Sequence, residues 1–450
     1  MQTSARVATA VSFRGHGLAS AGFLASVGLL LLTVVEMRRA FFFPMSDYLK
    51  LGGPSPVLYF DPRHLPLLAI GGLGAWMSYR GLRGLGEDLR SRGGDLSRLV
   101  RLLGVALLGL LIVDLFIYRG VPASRIVAAG KTGVGQAIPM ELFSGWLRPL
   151  GEGINYMALV WHATILGILI GALFLTLVAS FLKRWIGGRG FKSHLAGSLL
   201  ALGHPFCSCC AAPVGASLFR RGASLGSTLA FVVSSPMLNI TSLILAASLL
   251  PLDFALLRII GGLAVGVLVT YLVSVIAAGW VGKTTASSAP NKAVELSSRV
   301  LDGFSRWFRF EVFLEGKAVD SPGALIAAWL GMAWRLGRVV VPVLFVGSVV
   351  ASAMVMALPS PTNGVPGIIA AAAFGTLLMV PTWTEIPIAL SLLREGLAGP
   401  AAALLITLPA VSVPCLVIVG AGTASYRAAA LLGAFVFGVG ALAGVWFAAF

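Results

Sequence analysis

His204-Pro-Phe-Cys-Ser-Cys-Cys-Ala-Ala-Pro213 sets three of the chain's four cysteines within four positions, between bracketing prolines. Apolar sequence flanks it on both sides. The surrounding run, Leu195–Phe219, is broken at Gly203, Pro205 and Pro213. Each arm of about 12 residues rises about 18 Å at 1.5 Å per residue. The hydrocarbon core of a bilayer is about 30 Å thick. Neither arm spans alone, so the stretch reads as a re-entrant hairpin.

Working outward, Pro213-Val-Gly-Ala-Ser-Leu-Phe-Arg-Arg-Gly222 returns in the second half as Pro387-Ile-Ala-Leu-Ser-Leu-Leu-Arg-Glu-Gly396, with Pro, Ser, Leu, Arg and Gly at identical spacing. The second copy belongs to another apolar stretch interrupted at Pro381 and Pro387. Each half then reads as one span, one broken hairpin and two spans. Three crossings are odd, so the second unit enters the membrane upside down relative to the first. Inverted repeats with discontinuous helices are the architecture of secondary transporters. Broken backbone at membrane depth is tolerated only where it is buried or lines a cavity, which makes both hairpins site candidates.

Composition agrees with a membrane setting. The chain is 58% hydrophobic and 11% charged, against roughly 25% charged in soluble domains. The expected fold is all-α and polytopic, with about three N-terminal helices ahead of the duplicated part. Residues 1–158 hold those helices and an outer loop. Residues 159–282 form the first repeat, 283–334 a cytoplasmic polar insert with an interfacial helix, and 335–450 the second repeat. Within this plan Ala324–Arg335 is an interfacial approach and Val339–Ala357 the span, because Arg335 and Arg338 interrupt the apolar run. Val300, Phe304, Trp307 and Phe308 recur at helical spacing in the insert, as in a helix lying on the membrane surface.

The net charge of +16 is placed at predicted inner ends, as at Arg80–Arg101 and Lys183–Lys192. It therefore reads as positive-inside topology and attraction to anionic lipid, not as nucleic-acid binding. Arg6 and Arg14 precede the first apolar run, Leu18–Met37, and no small-x-small cleavage site follows. The first helix is expected to be retained, with the N-terminus cytoplasmic and the chain multi-pass in the inner or plasma membrane.

The chemistry concentrates at the breaks. Cys207, Cys209 and Cys210 form a C-x-C-C cluster, and thiolates are soft ligands that select soft acceptors. These three could hold a metal ion. Cys415, after Pro409 and Pro414, could add a sulfur from the second half. Against this stands the ordinary behaviour of a free cysteine as a small buried hydrophobe. Glu385 lies between Pro381 and Pro387, and an intramembrane acid is a proton-carrier or cation-ligand candidate. The plainer alternative is a hairpin tip wet by outside water, or an ion pair with Arg394. Ser235 and Asn239 interrupt the helix after the first hairpin and are candidate substrate contacts or backbone partners. Arg220 and Arg394 read as snorkelling anchors. Asp114 is expected at the membrane interface. His162 is a proton-relay candidate or a hydrogen-bonded structural histidine.

The run Pro205-Phe-Cys-Ser-Cys-Cys-Ala-Ala-Pro213, with Arg221-Gly-Ala-Ser-Leu-Gly-Ser-Thr-Leu-Ala-Phe231 and Ser235-Pro-Met-Leu-Asn239, resembles the predicted permease family that includes organoarsenical efflux permeases. Thr384-Glu-Ile-Pro-Ile388 with Gly396 and Pro409 looks like that family's second motif. The resemblance covers about residues 159–450. It implies efflux of a soft, thiol-reactive species, with Cys207 and Cys209 and, less directly, Cys210 in the substrate site. Many relatives have a small residue where Cys210 stands, so arsenical and metal ion both stay open as cargo.

The expectation is a membrane permease, not an enzyme, that carries a small soft substrate by proton-coupled secondary transport. No cofactor is required. Membrane lipid is the expected surrounding partner, and assembly with copies of itself is open. A rival from another class is a membrane thiol oxidoreductase, since Cys207 and Cys210 are spaced C-x-x-C. A noncatalytic scaffold subunit of a membrane complex is a third.

Overall fold

The computed structural model describes residues 2–37, 61–91, 96–128, 138–181, 186–188, 190–202, 206–220, 222–280, 319–356, 362–378 and 385–449. The chain is all-α among these residues. Five stretches are long and apolar enough to cross a membrane: Gly15–Met37, Leu252–Gly279, Pro322–Val350, Ala398–Thr423 and Tyr426–Ala449.

Three helices come first: α1 (Gln2–Met37), α2 (His64–Ser91) and α3 (Ser97–Ala128). All three run further than their apolar segments. In α2 the basic Arg80–Arg90 stretch continues the helix, with the Arg80 guanidinium 4.1 Å from the Trp76 ring. Helix α1 packs along α2, and α3 lies against α4 (Arg148–Phe181).

Helix α4 is followed by two short helices, α5 (Phe191–Leu202) and α6 (Ser208–Arg220), then α7 (Leu225–Met237) and α8 (Ile240–Leu249). Next come α9 (Leu252–Leu263), a π-helical segment (Ala264–Val269) and α10 (Thr270–Ile276). The second half runs α11 (Pro322–Met356), α12 (Val365–Leu377), α13 (Glu385–Arg394), α14 (Ala398–Ala410), α15 (Val413–Thr423) and α16 (Tyr426–Ala449). A long helix, two half-helices, an interrupted helix and a closing helix thus follow in the same order in both halves.

The two half-helix pairs end alike. Gly222 has φ of +98° and Gly396 has φ of +75°, the left-handed conformation that favours glycine. In each case the next residue's N–H reaches back to the helix: Ala223 to the Leu218 carbonyl at 3.0 Å, and Leu397 to the Leu392 carbonyl at 2.8 Å. These are Schellman caps, and the shared Leu and Gly of the sequence repeat are the residues that form them.

The halves meet at several places, two of them extensive. The long helices α4 and α11 pack side by side, and α6 packs on α15. Glycine permits the closest approaches, as in other helix contacts within membranes. A Cβ on Gly197 of α5 would strike the Ser227 backbone of α7, and one on Gly422 of α15 would strike Ala216 of α6. Arg220, at the end of α6, donates from Nε to the Gly422 carbonyl and from Nη2 to the Ala421 carbonyl, each at 3.2 Å. It therefore caps the last turn of α15 from the other half and does not simply snorkel.

Two expectations differ from the structure, and a third falls on residues outside those described. The interfacial approach and the span expected at Ala324–Arg335 and Val339–Ala357 are one continuous helix, α11. Arg335 is half-buried and Arg338 is exposed, its guanidinium 5.8 Å from the Trp334 ring, so neither breaks the helix. Asp114 is not at a wet interface: it is buried, 3.2 Å from His162 Nε2, and joins α3 to α4. The surface helix expected around Val300–Phe308 lies outside the described residues.

The π segment has a local explanation. Its freed carbonyls are taken up by polar side chains of neighbouring helices. The Gly266 carbonyl accepts from Thr270 Oγ1 at 2.7 Å, Ser234 Oγ at 3.1 Å and Ser198 Oγ at 3.4 Å. The Val267 carbonyl lies 2.8 Å from His194 Nε2. Irregular backbone of this kind is tolerated where its freed acceptors find donors, as the Gly266 and Val267 carbonyls do here.

Candidate functional site

The chain interrupts its helices at two matching places, and the sequence-predicted residues collect there. In the first half, α7 stops at Met237 and α8 starts at Ile240. Pro236, inside the last turn of α7, has no N–H to donate. Asn239 caps the restart, its Oδ1 accepting from the Ser242 N–H at 3.4 Å. In the second half, Pro409 sits in the last turn of α14, and Val411 and Ser412 are fully extended (φ −145° and −157°) before α15 begins.

Each interruption faces the start of a half-helix from the other half. Ser412 Oγ lies 3.2 Å from Ser208 Oγ, at the first residue of α6. Ser242, just after the first interruption, donates from Oγ to Glu385 Oε1 at 3.4 Å, at the first residue of α13. These two contacts tie the halves together at the broken backbone.

Around the Ser208–Ser412 contact lie sulfur and apolar surface. Cys207 precedes Ser208 and is 6% exposed, while Cys415 on the first turn of α15 is fully buried. Neither thiol is in a disulfide. Phe206 fixes the approach to α6 by packing edge-on against Phe231 of α7, with ring centroids 6.5 Å apart. Cys207 borders Val340 and Leu344 of α11. The backbones of Cys209 and Cys210 form the first turn of α6; their side chains are outside the described residues. No group of three His, Cys, Asp or Glu side chains that could hold a metal ion occurs among the described residues.

The prolines divide. Pro205 and Pro381 lie outside the described residues. Pro213 sits within α6 and Pro387 in the first turn of α13, so neither breaks a helix. In a first turn the missing N–H has no partner to lose. Pro213 instead deprives the Cys209 carbonyl of its in-helix donor.

Glu385 is wholly buried, which removes the reading of a tip wet by outside water. Its partner is Arg258, not Arg394. Arg258 Nη2 donates to Glu385 Oε1 at 3.1 Å, and neither side chain has exposed surface. The same Nη2 reaches the Pro236 carbonyl at 3.0 Å and Ser242 Oγ at 3.2 Å, and Nη1 lies 3.3 Å from Met237 Sδ. Arg394 is exposed at the far end of α13. Arg258 is the residue that the sequence reading missed. The available signal was a lone arginine inside the 252–279 apolar run, since charges within membrane-spanning segments are rare and functional.

Ser235 serves its own helix, donating to the Phe231 carbonyl at 2.7 Å. His162 is held by Asp114, away from the interruptions.

The predicted permease family ArsP_1 matches residues 153–447. The chain belongs to that family. The matched segment starts near the beginning of α4 and ends near the end of α16, so it takes in both interruptions and leaves α1–α3 outside. The UPF0718 protein YraQ of Escherichia coli strain K12 is 32% identical over 300 residues, covering 64% of this chain and 78% of its own. The UPF0718 protein MJ0584 of Methanocaldococcus jannaschii is 26% identical over 284 residues, covering 53% of this chain and 76% of its own. No solved structure matches. The chain is a multi-pass membrane permease by family and by its apolar helices.

Proposed function

We propose that this permease is a proton-coupled secondary carrier that exports a soft, thiol-reactive species, either a trivalent organoarsenical or a soft metal ion. The observation that carries the reading is that Cys207 and Cys415, from different halves, flank the Ser208–Ser412 contact at an interruption of the helical backbone. Sulfur from two sides can hold one soft centre, as thiolates do. Cys209 and Cys210 add sulfur along the first turn of α6. The halves act as inverted repeats, with α5–α6 and α12–α13 as the re-entrant hairpins, and access alternates as one half rocks on the other. Glu385 takes up and releases the proton that drives the cycle. The N-terminus is cytoplasmic, and the membrane is the inner or plasma membrane.

The test is export from cells expressing the full chain. Trivalent methylarsenic, copper and zinc are supplied separately, and accumulation is compared between wild type and Cys207→Ala. Loss of export of at least one of them in the variant is the expected result. Equal accumulation and equal resistance for all three overturns the reading.

A further inference from the structure

The Arg258–Glu385 pair is more than a buried salt bridge. Its surroundings are unevenly supplied with charge. Arg258 Nη2 and Nη1 are engaged with Glu385, the Pro236 carbonyl, Ser242 and Met237, while its Nε has no partner among the described residues. Glu385 Oε1 takes two donors, and its Oε2 has none among the described residues. Glu385 is also the first residue of α13, a ten-residue helix. Its carboxylate therefore sits at the helix end where partial positive charge and free N–H groups collect.

The other helices packed here bring no charge of their own. Helices α7, α8 and α14 contain no ionisable side chain. The remaining charges on α9 and α13 are Asp253 and Arg394, near the opposite ends of those helices. Asp253 and Arg394 are both exposed, and neither is ion-paired with Arg258 or Glu385. Among the described residues, the carboxylate of Glu385 is thus the sole negative group paired with this guanidinium and helix N-terminus.

We propose that this is an anion site that Glu385 occupies while ionised and vacates when protonated. A proton adds to Glu385 Oε2, the oxygen without a donor. The carboxyl becomes neutral, and its hold on Arg258 weakens. Arg258 is then a buried cation without a counter-ion, a state costing several kcal/mol. A small anion takes the place of the carboxylate against Nη2, Nε and the Ser242 hydroxyl. The charge balance is one proton and one anion entering together. The inference rests on the permease reading, in which Glu385 carries the proton, and adds a small counter-anion that binds with that proton at Arg258, separate from the soft cargo.

The experiment uses the purified full-length protein in detergent, with thiosulfate, sulfate and chloride as probes at equal ionic strength. Binding is read from the shift of the thermal midpoint. In wild type the apparent affinity for at least one anion should tighten as pH falls, by up to about tenfold per pH unit, because one proton is bound with the anion. Glu385→Gln keeps the guanidinium and removes the carboxylate. It should bind the same anion at every pH, with its pH dependence lost. Arg258→Met with Glu385→Met removes both charges together, so it avoids stranding either one, and should not bind.

Absence of any anion effect in both wild type and Glu385→Gln overturns the proposal. So does an equal effect in the double variant, which would mark a general salt effect. Cys207→Ala separates the two readings. It should lose soft-substrate export and keep the anion response. Unchanged export in that variant would sink the soft-cargo reading while leaving the anion result to stand or fall alone.

Discussion

Arg258 and Glu385 lie 127 residues apart in sequence, on α9 and α13, and join at 3.1 Å with no exposed surface on either. One belongs to the first half of the permease segment and the other to the second. Their contact is therefore both an electrostatic pair and a fastening between halves.

Breaking that pair from one side should be worse than removing it. Arg258→Met leaves a buried carboxylate and should cost about 3–5 kcal/mol, whereas the double methionine variant should return close to wild type. Chemical denaturation in detergent measures both. A double variant as unstable as the single would show that packing, not charge, sets the cost.

The Ser208–Ser412 hydrogen bond should be weak but real. Hydroxyl pairs between helices in membranes are worth about 0.6 kcal/mol on average. A double-mutant cycle with Ser208→Ala and Ser412→Ala should give a coupling of that order. Strict additivity of the two alanines would mean that the hydroxyls do not hold the interruptions together.

Close approach of α6 and α15 depends on Gly422, because a Cβ there meets Ala216. Gly422→Ala should destabilise by about 1–3 kcal/mol, as overpacking does. Gly438 on α16 faces open space, and Gly438→Ala should be neutral or slightly stabilising. Thermal midpoints of the two variants, measured side by side, decide it.

Gly222 and Gly396 should respond together. Each adopts positive φ at the end of a half-helix, where a side chain costs about 1–2 kcal/mol. Alanine at either position should lower stability by similar amounts. A large difference between them would mean that the two caps do not do equal work.

Much of this arrangement is legible in the sequence. The proline and glycine punctuation around Cys207 marks where backbone leaves the helix, and the recurrence of Pro, Ser, Leu, Arg and Gly marks the matching element. Hydropathy finds apolar residues, not helix ends, which is why α2 and α3 extend well past their apolar cores. It also treats an arginine as an interruption, although Arg335 and Arg338 ride on an unbroken α11. The pairing of Arg258 with Glu385, and of Asp114 with His162, depends on which helices become neighbours, and one sequence does not record that. Pro213 misleads for a different reason: a proline bends or breaks a helix only if neighbouring contacts do not hold it, and α6 is held by α7 and α15.

The π segment at Ala264–Val269 adds a residue to the winding of its helix. Tightening that turn to α winding with every residue kept would rotate everything after Thr270 by about 100°. Tyr271 would swing off the rings of Phe191 and His194, which it now meets edge-on at 5.2 Å. The hydroxyls of Ser198 and Ser234 would face a carbonyl that no longer points at them. The angular setting of the last third of this helix is thus fixed by how one surplus amino acid is wound in, and it would slip like a tooth on a ratchet if that turn closed up.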